Sequence, residues 1–166
     1  MRDKNIARRT FLVLACAGTA SILRPVQAAG EEPPFGVHRR RKPVGEDLTV
    51  LLPPMLDAFK RDPLPAGAKL MADEDLNVTY RAGADTVNVG ISRPESAEDA
   101  REAIKVSREE AVASKISLRG EKFSLKGDPA YFQVGDFMAW SRGQYFFYAK
   151  ASSPATLARF MTAYPF

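Results

Sequence analysis

The sequence predicts an α+β domain: an antiparallel sheet of about five to seven strands, with a central and a C-terminal helix packed on one face. Three observations predict it. Alternating apolar and polar residues mark paired strands, a capped segment with helical periodicity lies in the middle of the chain, and a second capped helix ends it. These features fall within residues 46–166, which contain no internal repeat and which we take as one domain.

The first 28 residues have the organisation of an export signal. A basic start precedes an apolar stretch at residues 11–23, and small residues precede a predicted cut. Arg8 and Arg9, followed by Thr-Phe-Leu with Phe11 and Leu12, resemble the twin-arginine signal. That resemblance implies the export machinery as a partner and passage across the cytoplasmic membrane in the folded state, to a periplasmic or extracytoplasmic location.

Signal peptidase is the second partner that this segment implies. Val26 and Ala28 occupy the two positions that the peptidase reads, so the mature chain is expected to begin at Ala29. One alternative stays open, because the residues before Cys16 superficially resemble a lipoprotein cleavage box. The apolar stretch is too short for a transmembrane segment, which needs roughly 18 to 20 residues.

Residues 29–45 are expected to be a flexible tether. They are rich in proline and charge and lack apolar periodicity, so they offer little surface to bury against the entropy of ordering. The basic run at residues 39–42 is either a solvated charge run or a contact to an anionic surface.

The domain begins with an apolar segment and a predicted hairpin. Residues 48–52 lead to two prolines, and because proline is favoured at the first position of a helix, we expect a brief helical turn from Pro54. Residues 76–81 and 86–91 alternate apolar and polar side chains across four turn residues, which predicts an antiparallel pair. One face of this pair carries Leu76, Val78, Tyr80, Val87, Val89 and Ile91.

A central helix is predicted from residue 97 to about residue 115. The Ser96 hydroxyl is placed to accept a hydrogen bond from the amide of Asp99, a capping pattern that begins many helices. Because alanine allows close approach to a sheet, the mostly alanine stripe indicates packing rather than a ligand groove. The stripe consists of Ala97, Ala100, Ile104, Ala111 and Val112.

Further strands are predicted at residues 116–123 and 131–134, followed by an aromatic hairpin at residues 136–148 that turns at Arg142 and Gly143. Pairing across that turn places Trp140 opposite Tyr145. One face of this hairpin carries Met138, Trp140, Tyr145 and Phe147, and the other carries Phe137, Ala139, Phe146 and Tyr148.

If helices cover only one face of this hairpin, the other face is left for a ligand or a partner. We expect Trp140 beneath the helices and Phe146 with Tyr148 on the freer face. The candidate ligand or partner contacts are therefore Phe137, Phe146, Tyr148 and Trp140. The alternative is that both sets are ordinary core.

The chain ends in a helix predicted to begin at Pro154, with a continuous apolar stripe that must dock on an apolar surface: Leu157, Phe160, Met161 and Tyr164. The arrangement resembles the PsbP-like and TATA-binding-protein-like folds. The Leu-Leu-Pro segment, residues 138–146 and the terminal Tyr-Pro-Phe are similar to an uncharacterised family of exported bacterial α+β domains, over residues 48–166. This resemblance carries over no catalytic residue.

Composition excludes several chemistries. Of 24 Lys and Arg residues five lie in the signal, against one of 20 Asp and Glu, so the mature chain carries 19 of each. A neutral chain does not favour a nucleic-acid partner. Cys16 is the only cysteine and His38, in the expected tether, the only histidine. The domain is therefore expected to use no thiolate or His-ligated metal, no Ser-His triad and no cofactor.

The remaining candidates for chemistry are weak. The acidic residues 73–75 lack the ligand spacing of a calcium loop, and Ser107 and Ser114 with Lys105 and Lys115 have a spacing common on solvated helices. The sequence favours an exported, non-catalytic binding or accessory module for an apolar ligand or a protein partner. Two alternatives stay open: a subunit exported with a cofactor-containing partner, and a small carboxylate-dependent hydrolase.

Overall fold

The computed structural model describes residues 32–72 and 74–166 of the 166-residue chain. The predicted signal with Arg8, Arg9 and its cleavage site, the Cys16 alternative, the first residues of the expected tether and Asp73 lie outside the described residues. No helix among the residues that the structure describes has the length and apolar character needed to cross a membrane.

The described chain forms an α+β fold around one antiparallel sheet of eight strands. The α+β class is confirmed, and the strand number exceeds the expected five to seven because two short strands extend one edge. The strands lie in the order β1-β2-β3-β4-β8-β7-β6-β5. Their bounds are β1 Met55–Leu56, β2 Phe59–Arg61, β3 Asp75–Ala82, β4 Asp85–Ser92, β5 Lys122–Ser124, β6 Tyr131–Val134, β7 Phe137–Arg142 and β8 Tyr145–Ala151.

The helical segments are a 3-10 helix at Pro34–Arg39, α1 at Leu48–Leu51, α2 at Ala97–Ala113 and α3 at Pro154–Ala163. Both predicted caps are present. The amide of Asp99 donates to the Ser96 hydroxyl at 3.1 Å, and the amide of Thr156 donates to the Ser153 hydroxyl at 3.1 Å. The stripe of α2 ends at Ala111, since Val112 is 52% exposed.

The expected helical turn after Pro54 is wrong, because Met55–Leu56 and Phe59–Arg61 pair as a small hairpin. The helical turn lies upstream, at α1, where the Asp47 carboxylate accepts from the amide of Thr49 at 2.8 Å. Residues that precede proline disfavour the helical region, which ends α1 before the two prolines. The expected strand at residues 116–123 is likewise shorter and later, at β5.

The two long hairpins follow the sequence pattern closely. In the first, Leu76, Val78 and Tyr80 pair with Ile91, Val89 and Val87, so all six lie on one face as predicted. In the second, the turn is Gly143-Gln144, and Trp140 pairs with Phe147 rather than with Tyr145. The register is displaced by two residues. An even displacement preserves the faces, so the predicted face assignment holds.

The two long helices lie on opposite faces of the sheet, which corrects the expectation of a single covered face. The first face contains Val78, Val89, Trp140 and Phe147 in one apolar cluster with Phe160 of α3. The second face contains Phe132, Ala139 and Phe146 in a separate cluster with Ile104 of α2. Because both faces of β6, β7 and β8 carry apolar side chains, each face requires its own cover.

Residues 32–45 differ from the flexible tether expected there. Val37 is fully buried, Pro34 and Pro43 are buried, and the 3-10 helix packs against α3. The segment carries few apolar residues, but those it has are spaced to fill the end of the first-face cluster. Its charged side chains find partners elsewhere in the chain, which the sequence pattern does not reveal.

Candidate functional site

The open part of the second face is the candidate site. α2 packs on the second face of β6, β7 and β8. The rest of that face, formed by β3, β4 and the side of β8 next to β4, bears polar side chains. Asn77 and Asn88 are exposed there, and Thr79, Tyr148 and Lys150 are partly exposed. We call these five residues the amide face.

The Tyr148 ring is held against the backbone of β4. Tyr148 pairs with Gly90 across the two strands, and a Cβ atom at position 90 would lie 2.0 Å from the Tyr148 Cε1 atom. Only glycine leaves room for this ring position. The Tyr148 hydroxyl donates to the Asn77 Oδ1 atom on β3, so the side chain reaches from β8 across β4 to β3. Burial, with the nearby Asp75 charge, raises the pKa of Tyr148, which keeps the hydroxyl protonated as a donor.

The two carboxamides of the face are fixed by the same kind of bond. The Thr79 hydroxyl donates to the Asn88 Oδ1 atom at 2.7 Å, as Tyr148 does to Asn77. Each carboxamide thus has its oxygen engaged, and its amino group supplies two N–H donors. Because Asn77 pairs with Gly90 and Asn88 with Thr79, the two amino groups belong to neighbouring strands on the same surface.

The charges around the amide face include two ion pairs, and the remaining Asp75 of β3 and Lys60 of β2 are of opposite sign. The Lys150 ammonium contacts the Asp136 carboxylate, and the Arg81 guanidinium contacts the Asp62 carboxylate at 3.3 Å. These pairs leave a polar surface without a dominant sign of charge. Such a surface suits hydrogen bonding to an uncharged group better than attraction of an ion.

An aromatic border separates the amide face from the part covered by α2. The Phe137 and Tyr148 rings stack with centroids 6.2 Å apart and planes inclined by 26°.

On α2 the Arg108 guanidinium binds the Glu121 carboxylate at 2.8 Å and lies over the Phe123 ring of β5. Glu110 is about 200° further round the helix and so lies on its side away from β5. Burial raises the pKa of the Glu110 carboxyl.

The structure divides the four residues predicted to contact a ligand. Phe137 and Tyr148 are partly exposed at the border of the amide face. Phe146 is on the same face but only 7% exposed, within the cluster beneath α2. Trp140 is on the opposite face, fully buried and stacked on Phe147 with centroids 5.2 Å apart.

The sequence reasoning missed Asn77, Thr79 and Asn88. They occupy the polar positions of the alternating pattern that predicts the first hairpin, and alternation by itself identifies only the apolar face. The signal was available, because two asparagines are uncommon in paired strands, where Asn is disfavoured.

The other candidates for chemistry have structural partners. The Ser107 hydroxyl donates to the Ala103 carbonyl at 2.8 Å, and the Lys105 ammonium donates to the Glu102 carboxylate at 2.9 Å, so both are engaged along α2. Glu74 and Asp75 of the acidic run are exposed. Within residues 32–72 and 74–166, no group of three or more His, Cys, Asp or Glu side chains is placed to hold a metal ion.

Comparison with protein-family models, with curated proteins and with solved structures finds no match to this chain. The resemblance to an exported bacterial family and to the PsbP-like or TATA-binding-protein-like folds therefore stays a prediction.

Proposed function

We propose that the chain is an exported, non-catalytic binding module and that its amide face binds an uncharged ligand rich in hydroxyl groups, such as a saccharide. The supporting observation is the pair of carboxamides, Asn77 and Asn88, whose oxygens are engaged within the sheet while their amino groups remain as donors. Side chains already held in their binding geometry lose less entropy when a ligand arrives.

The chemistry of the face favours this ligand class over the apolar ligand or partner expected from the sequence. Burial of Phe146 and Trp140 removes the two aromatics that an apolar ligand would need most. The aromatic surface that remains, Phe137 and Tyr148, lies beside hydroxyl and amide groups. An aromatic ring next to fixed polar groups matches a ligand that has both C–H surface and hydroxyls.

Export is part of the proposal and rests on the sequence. Changing Arg8 and Arg9 together to lysine should stop export, because the twin-arginine receptor reads guanidinium groups whereas ordinary secretion needs only positive charge. Fractionation of cells that express the tagged chain measures this, and N-terminal sequencing of the exported form should begin at Ala29. Continued export of the lysine variant would contradict the twin-arginine assignment.

Binding is tested by NMR titration of residues 29–166 with neutral hexasaccharides of glucose and of N-acetylglucosamine. We expect amide shifts in β3, β4 and β8 with one of these probes. Asn77→Ala combined with Asn88→Ala should weaken that binding at least tenfold, since about 1.4 kcal/mol corresponds to that factor.

Gln133→Ala is the matched control, because Gln133 pairs with Met138 and so belongs to the first face. It should bind as the unaltered protein does. The absence of shifts with every probe would contradict the saccharide class. Equal loss of binding in the control and in the double variant would contradict the location.

A further inference from the structure

The segment at residues 34–43, which we call the strap, is bound to the last part of the chain. Its Val37 side chain lies in the first-face cluster with Tyr164 and Phe166 of the C-terminus. The 3-10 helix packs against α3. The strap therefore lies over the end of the terminal helix, although more than 120 residues separate the two in sequence.

Arg40 joins the strap to α3. Its guanidinium donates to the Tyr164 carbonyl at 2.7 Å, to the Phe35 carbonyl at 2.6 Å and to the Met161 carbonyl. The last carbonyls of a helix lack partners within the helix and carry partial negative charge, so a cation there supplies both hydrogen bonds and charge. Burial lowers the pKa of Arg40 to about 10, which leaves it charged at neutral pH.

Arg142 holds the same strap from the other side. Its side chain is 5% exposed and donates to the Arg40 carbonyl at 2.7 Å and to the Asp128 carbonyl at 3.1 Å. The Asp128 carboxylate accepts from the Gly143 amide at 3.1 Å and pairs with the Lys42 ammonium at 3.0 Å. The strap is thus bound to α3 and to the turn between β7 and β8.

These contacts give the basic run at residues 39–42 a structural role within the domain. Arg40 and Lys42 are engaged as described, and the Arg39 guanidinium contacts the Glu32 carboxylate at 2.8 Å. Two of its four charges, those of Arg39 and Lys42, are therefore paired with carboxylates, and Arg40 is held by carbonyl oxygens. Three of the four side chains are thus bound within the chain rather than extended on a free arm.

We propose that the strap is a completion lock, which docks only after α3 and the turn between β7 and β8 are in place. The hydrogen-bond and ion-pair partners of Arg40 and Lys42 outside the N-terminal segment come from residues 128–164, which lie far from the strap in sequence. A chain with an undocked C-terminal helix leaves the strap exposed. The exposure of the strap, near the N-terminal end of the domain, therefore indicates whether the C-terminal helix has docked.

The rate of trypsin cleavage measures whether the strap is docked, because trypsin cleaves after Arg39, Arg40 and Arg41. The test uses residues 29–166 and follows cleavage in the strap by mass spectrometry. In the unaltered protein the strap should be cut slowly. Arg40→Met should raise the rate of cutting at positions 39 and 41 at least tenfold, and hydrogen exchange should show lost protection at residues 160–166 while β3 and β4 stay protected.

Arg39→Met is the matched control, since it removes a neighbouring exposed arginine and one cleavage site. It should leave strap cleavage at the remaining sites unchanged. Asp128→Asn provides a milder variant that weakens the contact of Lys42, with an expected severalfold increase that stands even if Arg40→Met does not fold. Equal cleavage of Asp128→Asn and Arg39→Met, or unchanged cleavage of a folded Arg40→Met, would overturn the proposal.

Discussion

The two faces of the sheet differ in how they are covered. The first face is covered by elements from both ends of the chain: the strap, α1 and α3 all contribute to one cluster. Within the part of the chain that the structure describes, the second face is covered where α2 and the residues that follow it pack on β6, β7 and β8, and its cluster draws on residues 100–148. The first face therefore joins residues that are distant along the described chain, whereas the second is covered by residues closer in sequence and leaves a polar surface.

This difference predicts that substitutions on the two faces have unequal effects on stability. The first-face cluster includes Tyr80, Trp140, Phe147, Phe160 and Tyr164, all buried and in ring contact with one another along the cluster. A change there disturbs several close contacts in a densely packed interior. On the amide face Asn77 and Asn88 are exposed, so substitutions at these two positions should have little effect on the rest of the fold.

Truncating one aromatic residue on each face measures how much each face contributes to the free energy of unfolding. Phe160 is fully buried and contacts Phe59, Tyr80 and Tyr164 with ring centroids 5.1 to 5.4 Å apart. Phe160→Ala should lower the free energy of unfolding by about 3 to 5 kcal/mol. Phe137→Ala, at the partly exposed border of the second face, should cost roughly half as much because less area leaves contact. Urea unfolding checks both, and equal losses would refute the comparison.

A smaller loss of stability is expected at Gly90, where the second face is tightly packed. Gly90→Ala forces the Tyr148 ring to move, since the added Cβ would lie 2.0 Å from its Cε1 atom, and should cost about 1 to 3 kcal/mol. In a Tyr148→Ala background the same substitution should cost little. Urea unfolding of the four proteins gives the coupling energy. A cost at Gly90 that persists without the tyrosine ring would place the strain in the backbone instead.

Local features of the fold were predictable from the sequence, since each depends on neighbouring residues. The caps at Ser96 and Ser153 and the alternation of the two long hairpins are of this kind. The face of the sheet that each helix covers is not local. It depends on how the connections cross the sheet, and the apolar stripes of α2 and α3 fit either face equally well.

The strap and the amide face were missed for related reasons. The composition of residues 29–45 predicts a tether, but Arg40 finds its carbonyl partners at Met161 and Tyr164, at a sequence distance that no local pattern can show. The amide face consists of polar positions that any exposed strand could carry. The contact between Tyr148 and Gly90, which fixes that surface, depends on the register of β4 against β8.

The smallest expected effect is a pH dependence on the side of α2 that faces away from β5. Burial raises the pKa of the Glu110 carboxyl above its ordinary value of 4.5, and its Oε2 atom is buried without a hydrogen-bond partner among the described residues. The folded protein then binds this proton more tightly than the unfolded chain does. Where the folded state holds more protons, stability falls as the pH rises. The destabilisation begins near pH 4.5 and is complete above the raised pKa.

Glu110→Gln keeps the shape of the side chain and removes the charge that burial disfavours. The variant should therefore unfold at a slightly higher temperature than the unaltered protein at about pH 7 and at the same temperature well below pH 4.5. Glu109→Gln is the charge-matched control, because its side chain is exposed on the same helix and should show a smaller difference between the two conditions. Thermal unfolding of the three proteins at both pH values decides this. A gain that is equal at both pH values would mean that packing, and not the charge, is the cause.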